Sequence, residues 1–165
     1  MSYEQTAFYE SPLGLIEIKM LDDKVRSILF VEEQKIVSES HPLIKETILQ
    51  LQQYFNGERT SFDFAQSQSG TDFQQRVWLE LQKISFGKRM SYLQLSKNIG
   101  DVKAIRAVGT TNGKNKIAIV IPCHRVVGSD GSLTGYAGGL WRKQWLLNHE
   151  SKLISRQGDI FEEEK

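Results

Sequence analysis

The first third of the chain alternates short apolar runs with turn-forming groups. The runs at Ala7–Glu10, Leu15–Met20 and Val25–Val31 are rich in Val, Ile and Phe, residue types that are typical of β-strands. Ser-Pro-Leu-Gly at 11–14 and Leu-Asp-Asp-Lys at 21–24 separate these runs with residues that favour tight turns. The pattern therefore predicts three consecutive strands joined by short connections.

Helical spacing of apolar residues replaces this pattern further along the chain. At Pro42–Phe55 it predicts an amphipathic helix that ends at Asn56-Gly57, followed by a short strand at Phe62–Phe64 and a polar linker at 66–71. Beyond the linker it predicts helices at Phe73–Ile84 with Asp72 as the N-cap, Ser91–Ile99, Lys103–Thr110 and Leu140–Asn148, the last ending near His149. The apolar run Ile117–Ile121 is expected to be a buried strand or an extended segment.

These elements predict an α+β fold in two domains. We expect a small strand-rich α/β domain at 1–68 and a mainly helical domain at 69–151, followed by a loose tail at 152–165. In the second domain two short helices flank Gly100-Asp101-Val102, the pattern of a helix-turn-helix in a winged-helix-like arrangement. Helical hairpins without DNA contacts share this pattern, so alone it indicates DNA binding weakly.

Composition narrows the class of protein. The 165 residues are 39% hydrophobic and 25% charged with three Pro, which excludes collagen-like, low-complexity and largely disordered chains. No apolar run is long enough to span a bilayer, and the first ten residues lack the pattern of a secretory signal. The single Cys excludes an internal disulfide, which favours a cytoplasmic location. It also excludes every multi-cysteine zinc pattern.

The net charge of +1 conceals a concentrated basic segment. Residues 84–128 carry eight Lys and Arg against one Asp, whereas the parts on either side are net acidic. Such a segment favours a polyanionic partner, of which nucleic acid is the commonest. A solvated basic face is an equal alternative on charge alone, but the predicted helix-turn-helix lies inside this segment and strengthens the indication of DNA binding.

Cys123 is the candidate nucleophile, because it follows an apolar run and Pro122 and precedes His124 and Arg125. A thiol reacts as its thiolate, which a neighbouring His can generate by taking the proton and a cation can stabilise. A His that acts as a base needs a partner on its other ring nitrogen, and Glu150 on the last helix is a candidate. For a lone cysteine, however, a buried and inert thiol is the commoner outcome.

Pro-Cys-His-Arg at 122–125 strongly resembles the hallmark of the O6-alkylguanine-DNA alkyltransferases, also called methylated-DNA–protein-cysteine methyltransferases. Further matches follow in the order and spacing of that family: Ser91-Tyr92, Leu95, Arg106–Gly109, Asn115, Gly135–Leu140, Lys143, Leu146-Leu147 and Glu150. The resemblance covers residues 72–150, whereas residues 1–66 fit the family's variable N-terminal domain only in length and strand content.

The resemblance implies a DNA repair protein that transfers the alkyl group of O6-alkylguanine to its own Cys123, with O4-alkylthymine as a second candidate lesion. The thioether product resists hydrolysis, so each molecule acts once. The resemblance implies His124 and Glu150 as a base path through a water molecule, Asn115 as the residue that holds the site together and Tyr92 as the donor to the departing guanine. Taken singly, Tyr92, Asn115 and Glu150 are more commonly a core residue, a turn residue and a surface residue.

The family binds double-stranded DNA through the minor groove and flips the damaged base out of the helix, so the resemblance implies the same here. It implies Arg106 as the residue inserted into the vacated stack, with Ala107, Tyr92 and Arg125 as further DNA contacts. The implied pocket residues are Val126, Tyr136, Ala137, Gly138 and, at the edge, Trp141. Ala137 stands where several family members carry Ser, so the main-chain amide remains but a hydroxyl is lost.

No cofactor and no membrane partner are expected, and we expect a monomer. Some relatives bind zinc through several Cys and His in the N-terminal domain, but this chain offers only His41 there, so no metal is expected. Two alternatives stay open: a non-catalytic minor-groove binding module, and a Cys-His-Glu hydrolase that acts on acyl or peptide bonds. A methyl adduct on Cys123 excludes the first, and a stoichiometric single turnover excludes the second.

Overall fold

The computed structural model describes residues 4–35 and 41–163, with side chains as far as 156. The chain divides into two compact units, Met1–Gly70 with Lys116–Val120 and Thr71–Asn115 with Ile121–Lys165. The domain boundaries after 68 and 151 stay predictions. None of the helices in the described ranges combines the length and the apolar character that a membrane crossing requires.

The first unit is built on a three-stranded antiparallel sheet in the order β1 (Gln5–Ser11), β2 (Gly14–Leu21) and β3 (Lys24–Phe30). These strands confirm the prediction from the apolar runs. The turn between β2 and β3 places Asp22 and Asp23 at φ 54° and 58°, the left-handed backbone of a two-residue hairpin turn. Asp adopts this conformation more readily than most residues, because its short polar side chain bonds locally.

Helix α1 (Pro42–Phe55) has the bounds that the apolar spacing predicts, and it contacts β1 and β3. Its N-cap is His41, whose Nδ1 accepts a hydrogen bond from the backbone N–H of Leu43 at 3.0 Å. Ile18 on the sheet and Leu51 on the helix are both fully buried. The hydrophobic core of this unit therefore includes residues of both elements.

No strand forms at Phe62–Phe64, so that expectation is wrong. The chain instead makes one isolated parallel bridge slightly later, between Gln66 and Val25 of β3. The Phe62 and Phe64 rings contact each other with centroids 6.1 Å apart. The apolar signal at these positions reflects ring packing and not strand pairing.

The apolar run Ile117–Ile121 pairs with the sheet only at its first residue, which bridges to Ile28 of β3. The chain then turns at Ile119, which has φ 71°, and the N–H of Val120 donates to the carbonyl of Ala118 at 2.8 Å. β-branched residues rarely adopt this left-handed backbone. For that reason the apolar pattern alone gives no sign of the turn.

The second unit begins with α2 (Asp72–Leu81), whose N-cap is Thr71 and not the expected Asp72. The Thr71 side chain accepts from the N–H of Gln74 at 3.2 Å, and the Gln74 side chain accepts from the N–H of Thr71 at 3.0 Å. This reciprocal capping box satisfies two backbone donors at once. Asp72 lies in the first turn, where its charge suits the positive end of the helix dipole.

Helices α3 (Tyr92–Ile99) and α4 (Ile105–Gly113) pack together and are joined by a tight turn. Gly100 ends α3 in left-handed backbone with φ 91°, which favours glycine. A short 3-10 turn at Val102–Ala104 leads into α4. The two-residue strands β4 (Met90–Ser91) and β5 (Val126–Val127) pair in parallel, which places the start of α3 beside the segment that follows Cys123.

Helix α5 (Leu140–Glu163) continues well past the expected end near His149, so that prediction is wrong. No Gly or Pro occurs between residues 140 and 157, and therefore no helix-breaking residue ends the helix there. The chain from 152, which we expected to be loose, is helical as far as Glu163.

Candidate active site

Cys123 lies on a sharp bend made of two consecutive turns. Pro122 has φ −82° and ψ 62°, and the N–H of Cys123 donates to the carbonyl of Ile121 at 2.8 Å, which is an inverse γ-turn. Cys123–Arg125 then forms a 3-10 turn that leads into β5. Proline suits the centre of the first turn because its ring fixes φ and it has no N–H to satisfy. The bend holds the cysteine, which is 5% exposed.

Two buried asparagines hold the carbonyl groups of this bend. Asn115 donates from Nδ2 to the carbonyl of Ile121 at 2.8 Å, and Asn112 donates from Nδ2 to the carbonyl of Cys123 at 3.3 Å. Burial raises the pKa of the Cys123 thiol, and a hydrogen bond from the Asn115 side chain opposes that rise. The structure thus brings the predicted Asn115 to the cysteine and adds Asn112, which is not among the predicted site residues.

His124 and Glu150 form a fully buried pair. The Nε2 atom of His124 lies 2.7 Å from Oε2 of Glu150, and the two side chains are 0% and 1% exposed. Burial lowers the pKa of His124, although the hydrogen bond and charge of Glu150 act in the opposite direction. A neutral imidazole that donates from Nε2 carries its lone pair on Nδ1. That Nδ1 is buried and has no hydrogen-bond partner among the described residues, so it can accept a proton.

Arg125 holds the same carboxylate. Its Nε lies 2.8 Å from Oε1 of Glu150 and its second terminal nitrogen 3.1 Å from Oε2, while the other terminal nitrogen donates to the carbonyl of Ile84 at 2.6 Å. Burial raises the pKa of Glu150, but the hydrogen bonds and charges of His124 and Arg125 outweigh it and hold the pKa well below its usual value. Arg125 is only 6% exposed, so its expected role as a DNA contact is contradicted: its guanidinium is occupied inside the protein.

Gly87 supplies a further donor to this carboxylate. Its N–H lies 3.2 Å from Oε1 of Glu150, and its backbone is left-handed with φ 78°. A Cβ at this position would collide with Cγ1 of Ile154, one turn beyond Glu150 on α5. Both the conformation and the space therefore require glycine. The carboxylate accepts hydrogen bonds from three residues, which fixes its orientation.

A cavity of about 400 Å³ opens at α3 and α4. Its lining residues are Tyr92, Ile105, Arg106, Gly109, Thr134 and Gly135. This volume falls within the range of small-molecule pockets. The structure thereby brings two predicted residues, Tyr92 and Arg106, to one cavity. The Tyr92 hydroxyl donates to the carbonyl of Thr134 at 2.7 Å.

Lys143 is a fully buried lysine on α5, and it is not among the predicted site residues. Its Nζ donates to the carbonyls of Thr134 and Gly135, both at 3.3 Å, and burial lowers its pKa. One face of α5 carries Lys143, Leu146, Leu147 and Glu150, all of them buried. Two charged residues on an otherwise apolar helix face were the signal in the sequence that could have identified Lys143.

The other predicted site residues have varied surroundings. Val126 is fully buried in β5, Ala137 is exposed, Gly138 is half-buried, and Trp141 is 58% exposed with the guanidinium of Arg142 4.5 Å from its ring centroid. The Tyr136 hydroxyl is buried without a hydrogen-bond partner in the described chain, and burial raises its pKa well above the usual value. No group of three or more His, Cys, Asp or Glu among the described residues is arranged to hold a metal ion.

The basic segment at 84–128 is largely available to a partner. Seven of its eight Lys and Arg side chains are exposed, and Arg125 is the buried exception. The seven form no ion pair within 4–35 and 41–156, where side chains are described. Arg106 and its neighbour Ala107 are both exposed on α4. Unpaired surface cations are the groups that bind the phosphates of a nucleic acid.

Comparison with known proteins matches nearly the whole chain to one family. Residues 72–152 match the family model described as 6-O-methylguanine DNA methyltransferase, DNA binding domain. Residues 5–66 match the model described as 6-O-methylguanine DNA methyltransferase, ribonuclease-like domain. The first match covers the helical part of the sequence, and the second covers the strand-rich part.

Individual relatives agree with these matches over almost their full length. The methylated-DNA–protein-cysteine methyltransferase of Methanosarcina acetivorans is 41% identical over 150 residues, which cover 87% of this chain and 96% of the relative. The constitutive enzyme of that name from Bacillus subtilis is 40% identical over 160 residues, covering 91% and 96%. The crystal structure of Mycobacterium tuberculosis O6-methylguanine methyltransferase superimposes with a TM-score of 0.83 at 37% identity, covering 91% of this chain and 94% of that one. The M. tuberculosis protein in complex with DNA gives a TM-score of 0.80 at 39% identity, covering 91% and 93%.

Proposed function

This chain belongs to the 6-O-methylguanine DNA methyltransferase family, and we propose that Cys123 is the residue to which it transfers the alkyl group of a damaged base. The chain repairs DNA by alkyl transfer from the lesion to a cysteine of its own, and it contains a single Cys. One sulfur accepts one alkyl group, so each molecule completes a single transfer.

The observation that carries this assignment is the orientation of His124. Glu150 accepts from Nε2, which leaves Nδ1 as the ring atom that takes a proton. Cys123 precedes this histidine on the same 3-10 turn, and burial keeps its thiol protonated at rest. A neutral imidazole whose Nδ1 has no other partner among the described residues can take the thiol proton at the moment of reaction, directly or through one water molecule.

The transfer is one displacement. The Cys123 proton passes toward His124, and the thiolate attacks the alkyl carbon on O6 of guanine. The sulfur–carbon bond forms as the carbon–oxygen bond breaks, and the electron pair leaves with the guanine. Tyr92 donates a hydrogen bond to the departing base, whose ring nitrogen gathers the negative charge, and the base takes up one proton, which balances the proton that His124 receives from Cys123. The product is a thioether on the protein and an undamaged base in DNA.

The lesion reaches the thiol by leaving the DNA stack. The exposed cations of residues 84–128 bind the phosphates of double-stranded DNA, and α3 and α4 act as a helix-turn-helix in the minor groove. Arg106 lines the cavity and is exposed, so it can fill the vacated stack while the base occupies the cavity beside Tyr92. We assign this work to a monomer in the cytoplasm, with O6-alkylguanine as the lesion and O4-alkylthymine as the second candidate.

The test is an intact-mass measurement after incubation with duplex DNA that contains one O6-methylguanine. We expect one methyl group per protein molecule, located on Cys123 by peptide mapping, and no further turnover. A second incubation with O4-methylthymine DNA ranks the two lesions. An unmodified protein would point to a binding module, and repeated turnover on acyl substrates would point to a hydrolase.

Cys123→Ala provides the matched control. It lacks the acceptor sulfur but retains the exposed basic residues, so it is expected to bind the damaged duplex and carry no adduct. Alkyl transfer to this variant would contradict the assignment of Cys123.

A further inference from the structure

Tyr92 and Lys143 donate to one carbonyl oxygen. The Tyr92 hydroxyl lies 2.7 Å from the oxygen of Thr134, and Nζ of Lys143 lies 3.3 Å from the same atom. Lys143 also donates to the carbonyl of Gly135 at 3.3 Å. Tyr92, Thr134 and Gly135 all line the cavity, whereas Lys143 does not. A buried lysine thus holds two backbone groups of the cavity wall from behind.

This arrangement bears on how Tyr92 can reach a base. A phenol has one O–H, so the hydroxyl must leave the carbonyl of Thr134 before it donates to anything inside the cavity. A base that fills the cavity also displaces water from this wall. A carbonyl left there without a donor would oppose the exchange, because an unpaired polar group out of water is costly.

Lys143 is placed to remove this penalty. Its amine carries more than one N–H, and it already donates to Thr134 while Tyr92 is bound there. The side chain is fully buried, and Nζ lies 5.8 Å from the centroid of the Tyr92 ring. The carbonyl therefore stays paired after the hydroxyl has gone.

We propose that Lys143 is a positioning residue for Tyr92, which keeps the Thr134 carbonyl paired and so lets the Tyr92 hydroxyl change its acceptor from Thr134 to the base in the cavity. This inference rests on the proposed function, in which the Tyr92 hydroxyl donates to the departing base, and it names Lys143 as the residue that makes that hydroxyl available. It assigns to Lys143 a role that depends on the hydroxyl of Tyr92.

Lys143 could also act on Cys123 through its charge, which favours the thiolate. This role differs from the positioning of Tyr92 and predicts a different outcome of the double-mutant cycle. An effect on the sulfur does not need the Tyr92 hydroxyl, whereas the acceptor exchange does. A double-mutant cycle between Tyr92 and Lys143 therefore separates the two roles.

The experiment measures the single-turnover rate of methyl transfer from O6-methylguanine duplex DNA for the wild type, Lys143→Met, Tyr92→Phe and the double variant. Met has a similar length to Lys but no donor, and we expect Lys143→Met to slow transfer roughly tenfold or more, as expected for an unpaired carbonyl. In the Tyr92→Phe background, Lys143→Met should slow methyl transfer little further. Lys143→Gln, which keeps a donor group, should lose less of the transfer rate than Lys143→Met, and the exposed Lys152→Met on the same helix should lose none.

The outcomes separate the inference from the function on which it rests. Losses that multiply in the double variant would overturn the inference and assign Lys143 to the sulfur. Equal losses for Lys143→Gln and Lys143→Met would overturn it as well. Where thermal unfolding shows that Lys143→Met does not fold, the same cycle is run with Lys143→Gln, and a loss of rate that is undiminished in the Tyr92→Phe background overturns the inference. A wild-type protein that forms no methyl adduct would overturn the proposed function itself.

Discussion

His124 donates from Nε2 to Oε2 of Glu150 across 2.7 Å, inside the protein and out of contact with water. The carboxylate does not turn away from the ring, because Arg125 and the N–H of Gly87 hold its two oxygens. The pair therefore selects one tautomer of His124 and presents Nδ1 as the basic atom. In the reaction proposed above, Nδ1 is therefore the atom that takes the Cys123 proton.

The pH dependence of methyl transfer should report the state of His124. Burial lowers the pKa of His124 from its usual value of about 6.5, so the imidazole stays neutral and able to accept a proton above that pH. We expect the single-turnover rate to hold steady between about pH 7 and 8 and to fall only below about pH 6.5, as the ring becomes protonated. A loss of rate that is already half complete at about pH 7 would contradict this.

Glu150→Gln should change the same profile in a defined direction. Glu150 raises the pKa of His124 through its hydrogen bond and charge, so removing the charge lowers that pKa further. We expect a slower plateau, because the imidazole becomes a weaker base, and an acid limb at still lower pH. A limb that moves toward higher pH would contradict the role of Glu150.

Arg125→Met tests whether this arginine acts inside the protein or on DNA. The variant leaves the buried Glu150 carboxylate and the Ile84 carbonyl without the guanidinium, and we expect a loss of about 3–5 kcal/mol in the free energy of unfolding. Denaturant unfolding measures this loss. The slope of DNA affinity against salt should match that of the wild type, because a buried guanidinium neutralises no phosphate. A shallower slope would restore Arg125 as a DNA contact.

Gly87→Ala should destabilise the protein more than Gly100→Ala, although both residues have left-handed backbone. Placing Ala in that conformation costs about 1–3 kcal/mol at either position. A Cβ at Gly100 meets nothing within 4 Å, whereas one at Gly87 collides with Ile154. Unfolding measurements should show that Ile154→Ala recovers part of the loss in Gly87→Ala and none in Gly100→Ala. The transfer rate should fall in Gly87→Ala but not in Gly100→Ala, because the clash with Ile154 shifts the backbone N–H that Gly87 donates to Glu150, and Gly100 makes no such contact.

Arg106→Ala should separate base flipping from chemistry. Arg106 is exposed, so its removal should change the free energy of unfolding by no more than about 0.5 kcal/mol. Repair of an O6-methylguanine in duplex DNA should slow far more than the reaction with the free base, because only the duplex requires a residue to fill the vacated stack. Lys114→Ala, another exposed cation of the basic segment, is the control. Equal losses on duplex and free base would remove the flipping role.

The regular elements of this fold could be predicted from the spacing of apolar residues. The three strands and helix α1 follow directly from it, since burial of one face enforces the period. The failures fall where local hydrogen bonding decides. Thr71 caps α2 through a reciprocal box, and Ile119 adopts a backbone that its residue type disfavours. Neither outcome leaves a trace in the apolar pattern.

The chemistry-bearing residues were predicted with uneven success for a related reason. A motif gives residue types in order, and it identified the Cys123–Arg125 turn and Glu150, which the structure brings together. A motif does not give the direction in which a side chain is buried, so it predicts a DNA contact for Arg125 although the guanidinium lies inside the protein. Gly87 contacts Glu150 through its backbone, which no residue type reveals, whereas the burial of Lys143 is signalled only by its position on the apolar face of α5.

The segment Lys116–Val120 constrains how this protein can be cut or recombined. The N–H of Ile28 donates to the carbonyl of Lys116 at 2.8 Å, and the N–H of Ala118 donates to the carbonyl of Ile28 at 3.0 Å. A fragment that starts at Thr71 would carry every side chain assigned to the reaction. It would lack β3, however, so the segment that leads to Cys123 would lose its hydrogen bonds to Ile28. If the amino-terminal half is exchanged between relatives, its sheet must still fit the five residues Lys116–Val120, which belong to the first unit but lie in the second half of the sequence.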